Sequence, residues 1–265
     1  MRVLMCPPFE YKILWEINPW MHVSNQPDKE KSWCQWHQLF EIYQKLGIKI
    51  YLLPPVAGLA DMVFTANAAW GRKGSFVISN FKYPQRKKEA KYYKKWFKMH
   101  KFKTFSLPSN VYFEGQGDVV TLRETYLFGY GIRTSFQAKN WLKKYLNLQK
   151  PIIPLKITDE RFFHLDTCLF YMEPINTILY FPKAFDKKSQ KKIKNLKADK
   201  IIVSEKEALN FICNGIYYED TIVLNNASYR IVSLLKSKGI NVIVLDSSEF
   251  KKAGGGVRCL TLFLD

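Results

Sequence analysis

The sequence contains no Cys-x-x-Cys pair. Its five cysteines, Cys6, Cys34, Cys168, Cys213 and Cys259, stand far apart. An odd, scattered set argues against an ordinary zinc site or a disulfide framework and fits reduced thiols in a cytosolic protein. No apolar run approaches the roughly 20 residues of a membrane span. The opening segment MRVLMCPP has no apolar stretch of signal-peptide length, so a cytoplasmic location without a membrane partner is expected. No proline- or serine-rich linker interrupts the chain, and residues 1–265 are read as one domain.

Acidic residues are also few, 23 Asp and Glu against 41 Lys and Arg, and the formal net charge is +18. Such a charge raises nucleic-acid binding as a reading. Its distribution argues against making that primary. The lysines concentrate in Arg86–Lys103 and Lys187–Lys200. In the second stretch Ile193 and Leu196 are three apart and mark one apolar helix face, with lysines elsewhere. That is a solvated helix, and no zinc-finger, RNP-like or helix-turn-helix pattern accompanies it.

Strand-like runs recur along the chain: Lys49–Leu53, Ser75–Ile78, Thr104–Leu107, Val119–Leu122, Thr177–Phe181, Lys200–Val203 and Asn241–Leu245. Helix-like amphipathic stretches lie at Trp33–Leu46, Phe136–Leu146 and Ser228–Lys238. The alternation predicts an α/β domain of about five repeated units. Four punctuated segments break the apolar pattern: Asp61–Trp70, Tyr112–Asp118, Phe163–Cys168 and Gly254–Leu262. Polar groups at the ends of several modules can converge on one centre.

Each segment offers chemistry. Cys259 follows Gly254, Gly255 and Gly256, whose freedom lets backbone approach a ligand; a thiol at a pocket rim beside Arg258 is a candidate nucleophile. The other cysteines read as small core hydrophobes. His164 and Asp166 are two apart, which on a strand puts both on one face. They fit either a proton shuttle or a structural hydrogen-bonded pair. Glu114 and Asp118 flank Gly115-Gln116-Gly117. Too few carboxylates lie nearby for a metal site, and a planar guanidinium matches carboxylates better. Asn67 supplies an amide that donates and accepts, or is a turn residue.

Taken in order, from Cys6-Pro7-Pro8 through Ile17-Asn18-Pro19-Trp20-Met21 to GGGVRCLTL, these segments resemble the guanidino-group-modifying superfamily, the pentein fold. The resemblance runs over essentially the whole chain. It implies a five-bladed, pseudo-symmetric α/β propeller with a central polar cavity. It also implies a catalytic set of Cys259, His164 and Glu114, with Asp166 gripping a guanidinium. Arg133 would hold the substrate α-carboxylate, with Arg86 as its partner, and Asn67, Asp118 and Asn18 would complete the substrate-binding set. The Glu114–Asp118 motif is one residue longer than the family's pattern, which bears on Asp118. Asn67 stands where deiminases and dimethylarginine hydrolases have Asp. This departure points to arginine dihydrolase chemistry, releasing ornithine, ammonia and carbon dioxide. Dimethylarginine dimethylaminohydrolase, arginine deiminase and amidinotransferase are the alternatives, and a non-catalytic basic binding protein the remote one. Succinylarginine dihydrolases are longer, so free arginine is expected as the small-molecule substrate; the cyanobacterial-type dihydrolase carries a second domain after the catalytic one. The resemblance calls for no metal or organic cofactor, and a homo-oligomer is compatible with it.

Overall fold

In the computed structural model, which describes residues 1–265, one supersecondary unit recurs five times. Strand β1 (Arg2–Met5) pairs with β2 (Lys49–Leu52). The next three units are β3 (Ala69–Arg72), β4 (Ser75–Ile78) and β5 (Lys103–Ser106); β6 (Val119–Thr121), β7 (Tyr126–Tyr130) and β8 (Ile152–Lys156); and β9 (Leu169–Met172), β10 (Thr177–Tyr180) and β11 (Asp199–Ile202). The fifth is β12 (Ile216–Tyr218), β13 (Thr221–Asn225) and β14 (Asn241–Leu245), and β15 (Leu262–Phe263) ends the series. Every sheet has three strands. In each, the central strand has an antiparallel neighbour on one side and a parallel one on the other.

A parallel pair needs a crossover, and helices supply it. Lys29–Lys45, Glu89–Met99, Ala138–Tyr145, Lys187–Lys194 and Tyr229–Ser237 each return the chain from a central strand to its parallel partner. Their apolar stripes face inward, as Trp36, Leu39 and Tyr43 do in the first and Ile193 does in the lysine-rich fourth. Side-chain caps fix three of the starts, with Asp28 accepting from Lys31 N–H, Asp186 from Ser189 N–H and Ser228 from Ile231 N–H. The second lysine stretch is thus a solvated helix only over Lys187–Lys194; Leu196, expected on its apolar face, lies beyond its end, and Lys200 belongs to β11.

The first sheet is closed by the last strand. β15 pairs antiparallel with β1, in the register Val3↔Phe263. The segment after Gly254 is thereby drawn to the beginning of the chain, and Cys259 with it. The entrances to the antiparallel strands meet at the centre. They are the 3-10 turns Thr65–Asn67, Gly115–Asp118 and Leu165–Thr167, and the loops leading into β12 and β15. The first three turns pack against one another, and Ala66 N–H donates to the Cys259 carbonyl at 3.1 Å. Gly115 is needed at this junction. Its φ is +72°, and a Cβ would sit 2.6 Å from the Ala66 carbonyl oxygen.

Candidate active site

The central turns surround a cavity of about 20 Å³, lined among others by Cys259, Gly254, Gly255, Asn67, His164, Asp61, Arg86 and Arg133. Six of the sequence-derived candidates therefore line one cavity: Asn18, Asn67, Arg86, Arg133, His164 and Cys259. Asn18 bridges to the glycine-rich loop, donating to the Ala253 carbonyl at 3.1 Å and accepting from Trp20 N–H at 2.9 Å. The three glycines fit under close neighbours: a Cβ on Gly255 would lie 2.5 Å from the Phe64 ring and one on Gly256 2.6 Å from the Asn225 amide. The sequence reading placed the thiol at an exposed rim. Cys259 is instead buried, because the loop folds under Phe64, Phe163 and Trp20.

His164 does not lie on a strand, contrary to the spacing argument. It precedes the Leu165–Thr167 turn, and the turn sends His164 and Asp166 in different directions. The imidazole Nε2 is 2.8 Å from Glu114 Oε2. A carboxylate only accepts, so in the neutral ring Nε2 carries the proton and Nδ1 the lone pair. Nδ1 lies 3.5 Å from the Asn67 amide nitrogen. Burial holds the His164 pKa below the usual histidine value, although Glu114 pulls the other way.

Glu114 is fully buried behind His164. Burial alone would raise its pKa; Arg133, Nη1 of which is 3.1 Å from Oε2, and the hydrogen bond to His164 outweigh that and hold it below the usual carboxylate range. Arg133 lies between the Tyr83 and Phe163 rings, 4.6 and 4.7 Å from their centroids. Its Nη2 donates to the Ile17 carbonyl at 3.0 Å, while Nε has no partner.

Two expected ligand contacts are replaced by internal ones. Arg86 was expected beside Arg133 on a carboxylate. Its guanidinium is instead held by Glu89 through Nε and Nη2, both at 2.9 Å, by Asn67 Oδ1 at 3.0 Å and by the Asp61 carbonyl at 3.2 Å. It is a charged strut in the cavity wall. Asp118 does not reach the cavity. It accepts from Thr134 Oγ1 at 2.6 Å and from Leu165 N–H at 3.1 Å, tying two turns together where the motif has its extra residue. Asp166 lies on the far side of the nucleophile, with Oδ2 4.0 Å from Cys259 Sγ. It faces a larger cavity of about 430 Å³. Burial pushes its pKa up to about 7, against a smaller lowering by Arg258.

Sequence reasoning missed three contributors. Asp61 lines the cavity; its Oδ2 accepts from Trp15 Nε1 at 2.9 Å, and its buried Oδ1 is unpartnered. It opens one of the four punctuated segments, which was its only signal. Glu89 hides within a lysine-rich stretch that reads as solvent-facing. Asn214, in an apolar run, donates to Cys259 Sγ at 3.2 Å. For Cys259 itself, burial and then Asp166 raise the thiol pKa well above the ordinary value. Burial thus favours the neutral thiol and the neutral imidazole in the free site.

A family model described as N,N dimethylarginine dimethylhydrolase, eukaryotic, matches residues 17–264. The chain belongs to that family. It lies within the guanidino-group-modifying superfamily expected from the motifs, and the five three-stranded sheets are the pentein architecture. The chain is 37% identical over 266 residues to the bifunctional arginine dihydrolase/ornithine cyclodeaminase ArgZ of Synechocystis sp., covering 98% of this chain and 37% of that protein. It is 34% identical to the N(G),N(G)-dimethylarginine dimethylaminohydrolase of Mycobacterium tuberculosis, covering 98% of this chain and 85% of the relative. The solved N-terminal domain of ArgZ, an arginine dihydrolase bound to product, superposes with a TM-score of 0.93 at 35% identity, covering 98% of this chain and 96% of that one. The chain spans little more than a third of the bifunctional relatives' length. No helix is long and apolar enough to cross a membrane.

Proposed function

We propose that this chain is a cysteine-dependent hydrolase of the guanidinium group of arginine, proceeding to ornithine. The observation that carries this reading is the shared cavity of Cys259 and His164, with Glu114 held on the far nitrogen of the imidazole. A nucleophile, a base and an orienting carboxylate are the parts of covalent hydrolysis. The rest of the wall suits a cationic amino acid. Asp61 Oδ1 is a free acceptor for a positive end, and the unpartnered Arg133 Nε is a free donor for a carboxylate. Asp118 is left out of the substrate contacts, and Arg86 acts through Asn67 and Glu89.

The neutral resting thiol makes substrate charge part of the chemistry. A bound guanidinium near Sγ favours the thiolate, and the thiol proton ends on His164. The thiolate attacks the guanidinium carbon, and His164 protonates ammonia as the C–N bond breaks. An amidino-thioether remains on Cys259. His164, oriented by Glu114, takes a proton from water, which attacks the same carbon; the C–S bond breaks, thiolate leaves and citrulline forms. In a second round Cys259 attacks the ureido carbon and expels the second ammonia. Water cleaves the resulting S-carbamoyl group to a carbamate, which loses carbon dioxide and leaves ornithine. The sum is arginine plus two waters to ornithine, two ammonia and carbon dioxide.

Asn67 decides the endpoint in this reading. A neutral amide does not discriminate against uncharged citrulline as an aspartate does. The second reading is dimethylarginine hydrolysis, favoured by the matching family model and the mycobacterial relative. Incubation with arginine, dimethylarginine and agmatine, with ornithine, citrulline, dimethylamine and ammonia quantified, separates them. Ornithine with two ammonia per arginine is expected, and agmatine should be a poor substrate because it offers nothing to Arg133. Citrulline with dimethylamine from dimethylarginine, and no ornithine from arginine, would overturn the dihydrolase reading.

A further inference from the structure

Each antiparallel-strand entrance brings a polar side chain to the centre: Asn67 before β3, Glu114 before β6, His164 before β9 and Cys259 before β15. The entrance to β12 brings Asn214, which has no part in the chemistry above. It is wholly buried. Its Nδ2 lies 3.2 Å from Cys259 Sγ and 3.2 Å from the Asp166 carbonyl. Its Oδ1 accepts from the backbone N–H groups of Arg258 at 3.1 Å and Cys259 at 3.3 Å. The loop is pinned in turn, since Asn225 donates to the Asn214 carbonyl at 2.7 Å and accepts from Val257 N–H at 2.9 Å. One amide thus grips the nucleophile by both its backbone and its sulfur.

We infer that Asn214 is the positioning residue of the nucleophile: its carbonyl oxygen fixes the Arg258–Cys259 backbone while its N–H donates to sulfur and favours the thiolate. This rests on the proposed role of Cys259. A charge-assisted N–H···S contact is strongest to a thiolate and weakens once sulfur becomes a thioether. Asn214 therefore assists twice, when Cys259 ionises and when thiolate leaves the tetrahedral adduct. It also offsets Asp166, whose carboxyl disfavours negative charge on sulfur. A structural amide satisfying only the backbone would need no N–H directed at Sγ.

Asn214→Asp keeps the acceptor for the backbone, removes the donor to sulfur and adds a charge beside it, so Asn214→Ala, which adds no charge, is measured with it. Asn214→Ala removes both. The readout is the pH dependence of Cys259 alkylation by iodoacetamide, followed on the Cys259 peptide, beside the melting temperature and kcat with arginine. The midpoint of alkylation is expected to move up by about one pH unit or more in both variants, matching a loss of roughly tenfold or more in thiolate stabilisation. kcat should fall with KM little changed. An unmoved alkylation profile in folded Asn214→Asp and Asn214→Ala would overturn the inference and leave the hydrolase reading standing. If wild type turned over no guanidino compound, the hydrolase reading would fail, while the alkylation shift would still measure the contact to sulfur.

Discussion

The two carboxylates nearest the catalytic groups have opposite settings. Glu114, on the His164 side, is matched by Arg133 and the imidazole and is held ionised. Asp166, on the far side of Cys259, has one oxygen without a partner, and burial pushes it to about 7. Both are fully buried, so burial does not distinguish them. Partners do. A buried charge persists where cations and donors replace water, and otherwise the group takes up a proton. The His164 side holds its charge before substrate arrives; the Asp166 side is poised near neutrality.

The largest effect expected from this contrast is at Glu114. Glu114→Gln keeps the shape but removes the charge that orients and stabilises His164, and it leaves Arg133 without its counter-ion. Steady-state kinetics should show kcat lowered by roughly 10²-fold or more. Loss of a buried ion-pair partner should also lower the melting temperature clearly. A near-normal kcat would place Glu114 outside the machinery.

Asp166 should show its difference in pH rather than in a single rate. Its folded pKa is raised, so between about pH 4 and 7 the folded state binds the extra proton. Its contribution to stability is present below the unfolded value and is lost as pH rises through about 7. Thermal melts should therefore show Asp166→Asn gaining on wild type at pH 8 and losing most of that advantage at pH 5. The reverse slope would mean that the carboxylate is ionised in the folded protein. The smallest effect is expected outside the ring. Lys191→Gln with Lys194→Gln should leave kcat unchanged and stability within about 0.5 kcal/mol, because these lysines are exposed on a solvated helix.

How much of this could be read from sequence depended on what each residue answers to. Strands such as Ser75–Ile78 and Asn241–Leu245 stand where their apolar runs predict, because β-branched and aromatic residues in a short run favour a strand locally, whether the strand is largely buried as the first or half-exposed as the second. The family motifs brought Cys259, His164, Asn67, Arg133 and Asn18 to one cavity. What local pattern missed depends on distant partners. Glu89 reads as a solvated acid among lysines until Arg86 folds over it. Asn214 sits in the apolar run around Cys213 with no sign of a role, and only closure of β15 onto β1 brings sulfur to its amide. Asp118 was carried over from the family motif, which here is one residue longer, and Thr134 and Leu165 claim its carboxylate.

The central claim is that Cys259 carries the reacting carbon through a covalent intermediate. The most direct measurement is mass spectrometry of rapidly quenched enzyme with arginine, read on the Cys259 peptide. Wild type should show an amidino or carbamoyl adduct on that peptide alone, and Cys259→Ser should show neither adduct nor product while keeping its fold. Turnover by Cys259→Ser, or an adduct on Cys34, Cys168 or Cys213 instead, would contradict the account.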